Sequence, residues 1–129
     1  MATQIDDYDE IVRVLGLYTE GASKGDAALL KEGFHEDARM FGDIAGWRYD
    51  MPIAQFIDAA VEKPGDTGNY RSRVLSVNQV GDAASAVVAE DGYWGEVSFI
   101  DFMTLNRING TWKIVNKTFV HTGGEPPAA

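Results

Sequence analysis

The chain has 129 residues, 45% of them hydrophobic and 24% charged, with 20 acids against 11 lysines and arginines and a net charge of −9. That size and balance describe one globular domain over residues 1–129, able to bury a core without staples, and the acidity opposes nucleic-acid phosphates and anionic lipid. With no cysteine in the chain, disulfides, thiolate nucleophiles and Cys-ligated zinc are excluded.

The N-terminus, MATQIDDYDE, is acidic and polar, without the basic start and apolar stretch of a secretory signal. No apolar run reaches membrane-spanning length, so the expected location is the cytoplasm. Residues 6–23 are expected to form a first helix. Asp6 or Asp7 can cap it, with Asp7 and Glu10 spaced as a capping box, and Ile11, Val14, Leu15, Tyr18 and Ala22 share one face. Gly25 is a stop signal, and Asp26 caps a second, shorter helix to about residue 33. A short strand follows over residues 37–41. A third helix is expected from about Met51, capped by Asp50 with Pro52 in its first turn, and ended by Pro64-Gly65. Its buried stripe is Ile53, Phe56, Ile57, Ala60 and Val61.

The second half changes period. Residues 70–80, 84–94, 97–108 and 112–121 read as strands rich in Val, Ile, Phe, Tyr and Thr. Asn109-Gly110 is a strong signal for a type I′ hairpin turn. Strands joined this closely pair antiparallel. The expected fold class is therefore α+β: a curved antiparallel sheet wrapped on three N-terminal helices, cone-shaped with an internal pocket. The core is expected over about residues 6–122, with residues 123–129 frayed.

Several residues carry possible chemistry. Tyr18 lies in the apolar stripe of the first helix, so its hydroxyl needs either a partner in the sheet or a ligand. Asp101 shares a strand face with Val97, Phe99, Met103 and Leu105, and an acid in such a row either pairs or holds a raised pKa. In the last strand, Lys113, Val115, Lys117, Phe119 and His121 alternate with Trp112, Ile114, Asn116, Thr118 and Val120. Either row can face the pocket; Asn116 is the better polar candidate, and His121 is a possible base at the rim. Trp47, Tyr49, Phe56, Phe99 and Met103 are candidates for an apolar lining, with core packing as the alternative. His35, between Phe34 and two acids, reads as a corner between helix and strand rather than a metal ligand, and Arg39 can pair with an acid on a neighbouring strand. No metal signature and no cofactor motif is present.

The order of elements, with Tyr18 in VLGLYTEGASKGD, the turn FHEDARMFG and the closing hairpin FIDFMTLNRINGTWKIVNKTFVH, resembles the nuclear transport factor 2-like superfamily over about residues 6–122, and within it the putative lumazine-binding subfamily. The resemblance implies a cone-shaped α+β fold and a homodimer paired through the outer face of the sheet. The superfamily includes ketosteroid isomerases, dehydratases, SnoaL-type cyclases and binding modules, so the fold alone does not assign an activity. Tyr18 and Asp101 match the positions of the isomerases' two oxyanion donors, the second of which is a neutral aspartic acid in the worked case of that enzyme. The isomerases' general base falls at Gly42 here, with Asp43 one residue late, a shift that turns a strand side chain to the opposite face. Three readings follow. One is a small-molecule-binding protein with an apolar pocket and Tyr/Asp anchors for a hydrophobic or aromatic ligand. A second is an acid–base enzyme of isomerase, dehydratase or cyclase type acting on a hydrophobic carbonyl compound, with Asp43 or His121 as base. The third is a dimeric interaction domain with a vestigial pocket. None of them needs a cofactor, nucleic acid or membrane.

Overall fold

The computed structural model describes residues 2–127. Helix α1, Gln4–Lys24, starts at Thr3. The Thr3 side chain accepts from the Asp6 amide while the Asp6 carboxylate accepts from the Thr3 amide. The capping box therefore lies one turn earlier than the Asp7–Glu10 spacing implied, because threonine at the true cap offers the hydroxyl that the motif needs. Gly25 ends α1 in the left-handed conformation, φ 69°, and the Asp26 carboxylate accepts from the amides of Ala28 and Leu29 to open α2, Ala27–Gly33.

Strand β1, Phe34–Ile44, is longer than expected and leads into a strand absent from the sequence reading, β2, Trp47–Pro52. Ala45 and Gly46 join them with φ of 50° and 86°, the pair of positive values that a two-residue hairpin requires. Residues 51 and 52 thus close a strand, and α3 spans Ile53–Glu62. Pro52 stands at its N-cap without a side-chain hydrogen bond. Asp50, expected as that cap, instead pairs with Arg39 across the hairpin at 2.9 Å.

The remaining strands are β3, Asp66–Val80, β4, Ala83–Tyr93, β5, Val97–Ile108, and β6, Thr111–Gly123. They form an antiparallel meander, and the Asn109-Gly110 turn takes φ of 52° and 80° as its residues demand. The sheet order is β2-β1-β6-β5-β4-β3. Strand β1 runs parallel to β6, the single departure from an antiparallel sheet. Most of the chain lies between those two strands, which supplies the long crossover that parallel pairing needs. The result is three helices packed in the hollow of a curved, unclosed six-stranded sheet.

The core contains Ile11, Leu15 and Leu30 from the helices and Val88, Leu105 and Ile114 from the sheet. At its closed end Arg107 ties α1 to the sheet. Its guanidinium donates to Asp7 at 2.6 Å and to Asp82 at 2.7 Å, and lies 5.0 Å from the centre of the Trp112 ring. The expected frayed tail is anchored at its start: Gly123 pairs with Ser98, and the Glu125 amide donates to Glu96. Ala128 and Ala129 lie outside the described residues.

One irregularity decides which side chains face inward. Thr104 pairs with Asn116, but Leu105 pairs with Ile114, so Val115 is an extra residue in β6. Before it Trp112 and Ile114 point into the core; after it Lys117 and Phe119 do. Neither alternating row expected for this strand faces the pocket along its whole length.

Candidate functional site

Tyr18 sits on the α1 stripe that packs against the sheet, so its ring is buried, edge-on to Phe34 and beside Phe56. Its hydroxyl lies 2.7 Å from Asp101 Oδ2 and 3.0 Å from Glu90 Oε2. Both carboxyls are buried; Asp101 is 0% exposed and Glu90 1%. Asp101 comes from the inward row of β5, and Glu90 ends the inward row Ala84, Ala86, Val88 on the adjacent strand β4. On its other oxygen Glu90 accepts from the Tyr70 hydroxyl at 2.6 Å.

A phenol has one proton to donate. The shorter contact takes it, so Tyr18 donates to Asp101. The contact with Glu90 is then a hydrogen bond only if Glu90 carries a proton and donates it. The electrostatics agree. Burial pushes the Glu90 carboxyl well above its usual range, and the neighbouring charge of Asp101 pushes it further. Lys117 and Tyr70 pull only weakly the other way. The Tyr18 phenol is driven up by burial and then by the charges of Asp101 and Glu90, and that of Tyr70 by burial and Glu90, so both stay protonated donors. Tyr70, Glu90, Tyr18 and Asp101 thus form one hydrogen-bonded chain.

This chain borders a cavity of about 570 Å3, within the size range of small-molecule sites. Tyr18, Glu90, Lys117, Phe56 and Met40 are its buried lining, Tyr49, Met51 and Trp94 are half-buried, and the exposed Glu62 and Lys63 mark its mouth. Phe99 and Phe119 pack edge to face along one wall.

Of the residues singled out from sequence, Tyr18, Tyr49, Phe56 and Phe99 line this cavity. Asp101 does not; it lies behind Tyr18 and Glu90, and its Oδ1 is buried without a donor. Met103 is core, 1% exposed, and Trp47 is 76% exposed on the β1–β2 hairpin. Asn116 is carried to the outer side by the Val115 bulge, where its Oδ1 accepts from Thr118. Asp43 is exposed, opposite Arg48 in the hairpin. His121 is tied up outside the cavity: Nδ1 accepts from the Ala45 amide, and Nε2 contacts the Gly123 and Gly124 carbonyls. Neither can serve as a base in the cavity. Gly42 cannot be replaced by one either, since a Cβ there would lie 2.5 Å from the Phe119 carbonyl oxygen and 2.7 Å from its ring. His35 is a corner residue whose Nδ1 accepts from the Asp37 amide at 3.0 Å.

Two residues that matter were missed. Glu90 ends an apolar alternating row, the same signal that marked Asp101, but a row of alanines marks burial weakly. Lys117 had no signal, because the bulge that turns it inward is not written in residue types.

A helical layer in the hollow of a curved sheet, with a blind apolar cavity between them, defines a nuclear transport factor 2-like protein. Residues 6–120 match the family model described as putative lumazine-binding, and the chain belongs to that family. Among solved structures it is similar to a nuclear transport factor 2-like protein of unknown function from Shewanella baltica. The two are 28% identical with a TM-score of 0.86, covering 96% of this chain and 100% of that one. A second such protein, from Methylobacillus flagellatus, is 30% identical with a TM-score of 0.84, covering 94% and 96%. A curated relative, Aldolase FrzH from a Cladobotryum species, is 28% identical over 114 residues, which are 88% of this chain and 90% of that protein.

Proposed function

We propose that the chain binds a hydrophobic carbonyl compound in this cavity and catalyses its enolisation, with Glu90 as the acid–base group. The observation that carries the reading is the buried Glu90 carboxyl lining the cavity, held by the Tyr70 and Tyr18 hydroxyls at 2.6 and 3.0 Å, where burial raises its pKa. With its proton turned from Tyr18 to the ligand, a carboxylic acid of raised pKa donates to a carbonyl oxygen as negative charge develops there. The carboxylate so formed removes a proton from the neighbouring carbon, which leaves an enol and restores the acid. Tyr18 then acts on Glu90 rather than on substrate directly, and Asp101 keeps the phenol oriented. Aldol chemistry starts from an enolised carbonyl compound, so the name of the Cladobotryum relative points the same way.

The test is solvent-deuterium exchange at the carbon beside the carbonyl of tetralone, followed by NMR. Wild-type protein is expected to accelerate exchange, and Glu90→Gln to lose about 100-fold or more of it while still binding the ketone. Binding without exchange in the wild type supports the second reading, a pure binding protein, which is favoured by Glu90 being the one buried carboxyl that lines the cavity among the described residues.

The partner we propose is a second copy of the chain, docked on the outer face of the sheet where Phe41, Phe102 and Val120 are exposed.

A further inference from the structure

Lys117 has no part in the hydrogen-bonded chain, yet it lines the same cavity and is 6% exposed. Its Nζ lies 4.3 Å from the centre of the Phe56 ring, 4.7 Å from that of Phe119 and 5.2 Å from that of Tyr18. Among the described residues its one hydrogen-bond partner is Met40 Sδ at 3.5 Å, and a thioether accepts weakly. Among the described residues Lys117 forms no ion pair. Ring faces attract a cation but do not take its N–H groups one by one as an oxygen does. An ammonium has three donors, so two are left facing an apolar cavity.

The neighbouring acids do not answer this need: no Glu90 oxygen comes within ion-pair distance of Lys117 Nζ, and Asp101 lies behind Tyr18 and Glu90. Nor does the rest of the molecule attract anions at long range, for the net charge is −9. At the mouth, Lys63 and Glu62 offset each other. Selection for negative charge is therefore local, at one buried amine. An enolate is a transient charge and does not satisfy Lys117 in the resting complex; a permanent carboxylate does.

Taking the cavity as a carbonyl-binding site, we propose that its ligand is a hydrophobic oxo acid whose carboxylate seats on Lys117 Nζ while its ketone oxygen meets Glu90. The carboxylate recovers a charge-assisted hydrogen bond that no neutral isostere can make. The aromatic rings around Nζ keep water from competing for it.

The probes are benzoylpropionate and its amide, titrated by calorimetry into the full-length protein near neutral pH. The wild type is expected to bind the carboxylate about tenfold or more tightly than the amide. Lys117→Met, which keeps a buried unbranched side chain, is expected to bring the two affinities together by weakening the carboxylate alone. If Lys117→Met does not fold, the wild-type ratio stands as one test. The Lys117 ε-methylene resonances are the other: they should shift with the carboxylate and not with the amide. Equal affinities in the wild type overturn the anionic anchor and leave enolisation, tested by deuterium exchange, untouched. A borohydride-trapped adduct of benzoylpropionate on Lys117 also overturns it, because the amine is then a nucleophile and not a cationic seat.

Discussion

The Tyr18 hydroxyl donates to Asp101 Oδ2 across 2.7 Å, from the first helix to the fifth strand. This pairing spends the tyrosine's one proton on the sheet and turns its oxygen into an acceptor for Glu90. The carboxyl that lines the cavity is therefore Glu90, one strand over from Asp101.

Glu90 makes stability depend on pH in an unusual direction. Its folded pKa lies above the ordinary 4.5, so between those two values the native state binds more protons than the unfolded chain. Stability from this group is full below the unfolded value and falls as pH rises through the folded one. Glu90→Gln keeps the geometry, since its amide donates to Tyr18 and its carbonyl accepts from Tyr70, but it has no proton to lose. Its Tm relative to wild type is expected to rise from about pH 5 to about pH 9, measured by thermal denaturation. A constant difference would mean that Glu90 is ionised in the native state at all these pH values.

Gly42 stands where the isomerases carry their base, and the structure closes that route. Gly42→Asp forces a side chain against the Phe119 carbonyl and ring, both 2.7 Å or less from the added Cβ. The expected outcome is a loss of about 2 kcal/mol or more, read from the urea midpoint, with no gain of deuterium exchange. A stable variant with faster exchange would restore the isomerase-like arrangement.

The fold was legible because its signals are local and redundant. Asn109-Gly110 declares its turn, and the periods of α1 and β5 put Tyr18 and Asp101 inside. The hairpin at Ala45-Gly46 was not legible, since alanine at φ 50° is held by pairing of the flanking strands rather than chosen for the turn. The site was half legible for a related reason. Asp101 stands out in a row of large apolar residues, whereas Lys117 and Asn116 exchange faces through one extra residue at Val115. Register in a sheet is set by both partners, and a single strand read alone cannot display it.

Arg107 joins three distant segments, and its removal leaves Asp7 without its ion-pair partner at a position 8% exposed. Arg107→Met retains packing on Trp112 but leaves that carboxylate with the Gln79 amide alone. A lower urea midpoint is expected, with Asp7→Asn in the same background recovering part of the loss. Additive losses in the double-mutant cycle would show that the two side chains do not act together.

The outer sheet face offers the last prediction. Phe41 on β1, Thr118 on β6 and Phe102 on β5 stand side by side in register, with Val87 of β4 next in line. Phe41 is 44% exposed and Phe102 50%, so a transverse apolar row crosses the middle of the sheet. Rows of this kind on a six-stranded sheet are covered in stable proteins more often than left wet. Phe102→Lys places a charge in the row without touching the cavity, because successive side chains point to opposite faces. Light scattering is expected to show a dimer for the wild type and a shift to monomer for the variant. Tetralone binding should be unchanged, as the cavity lies within one chain. A wild type that is monomeric at all concentrations would remove the face as a self-association surface.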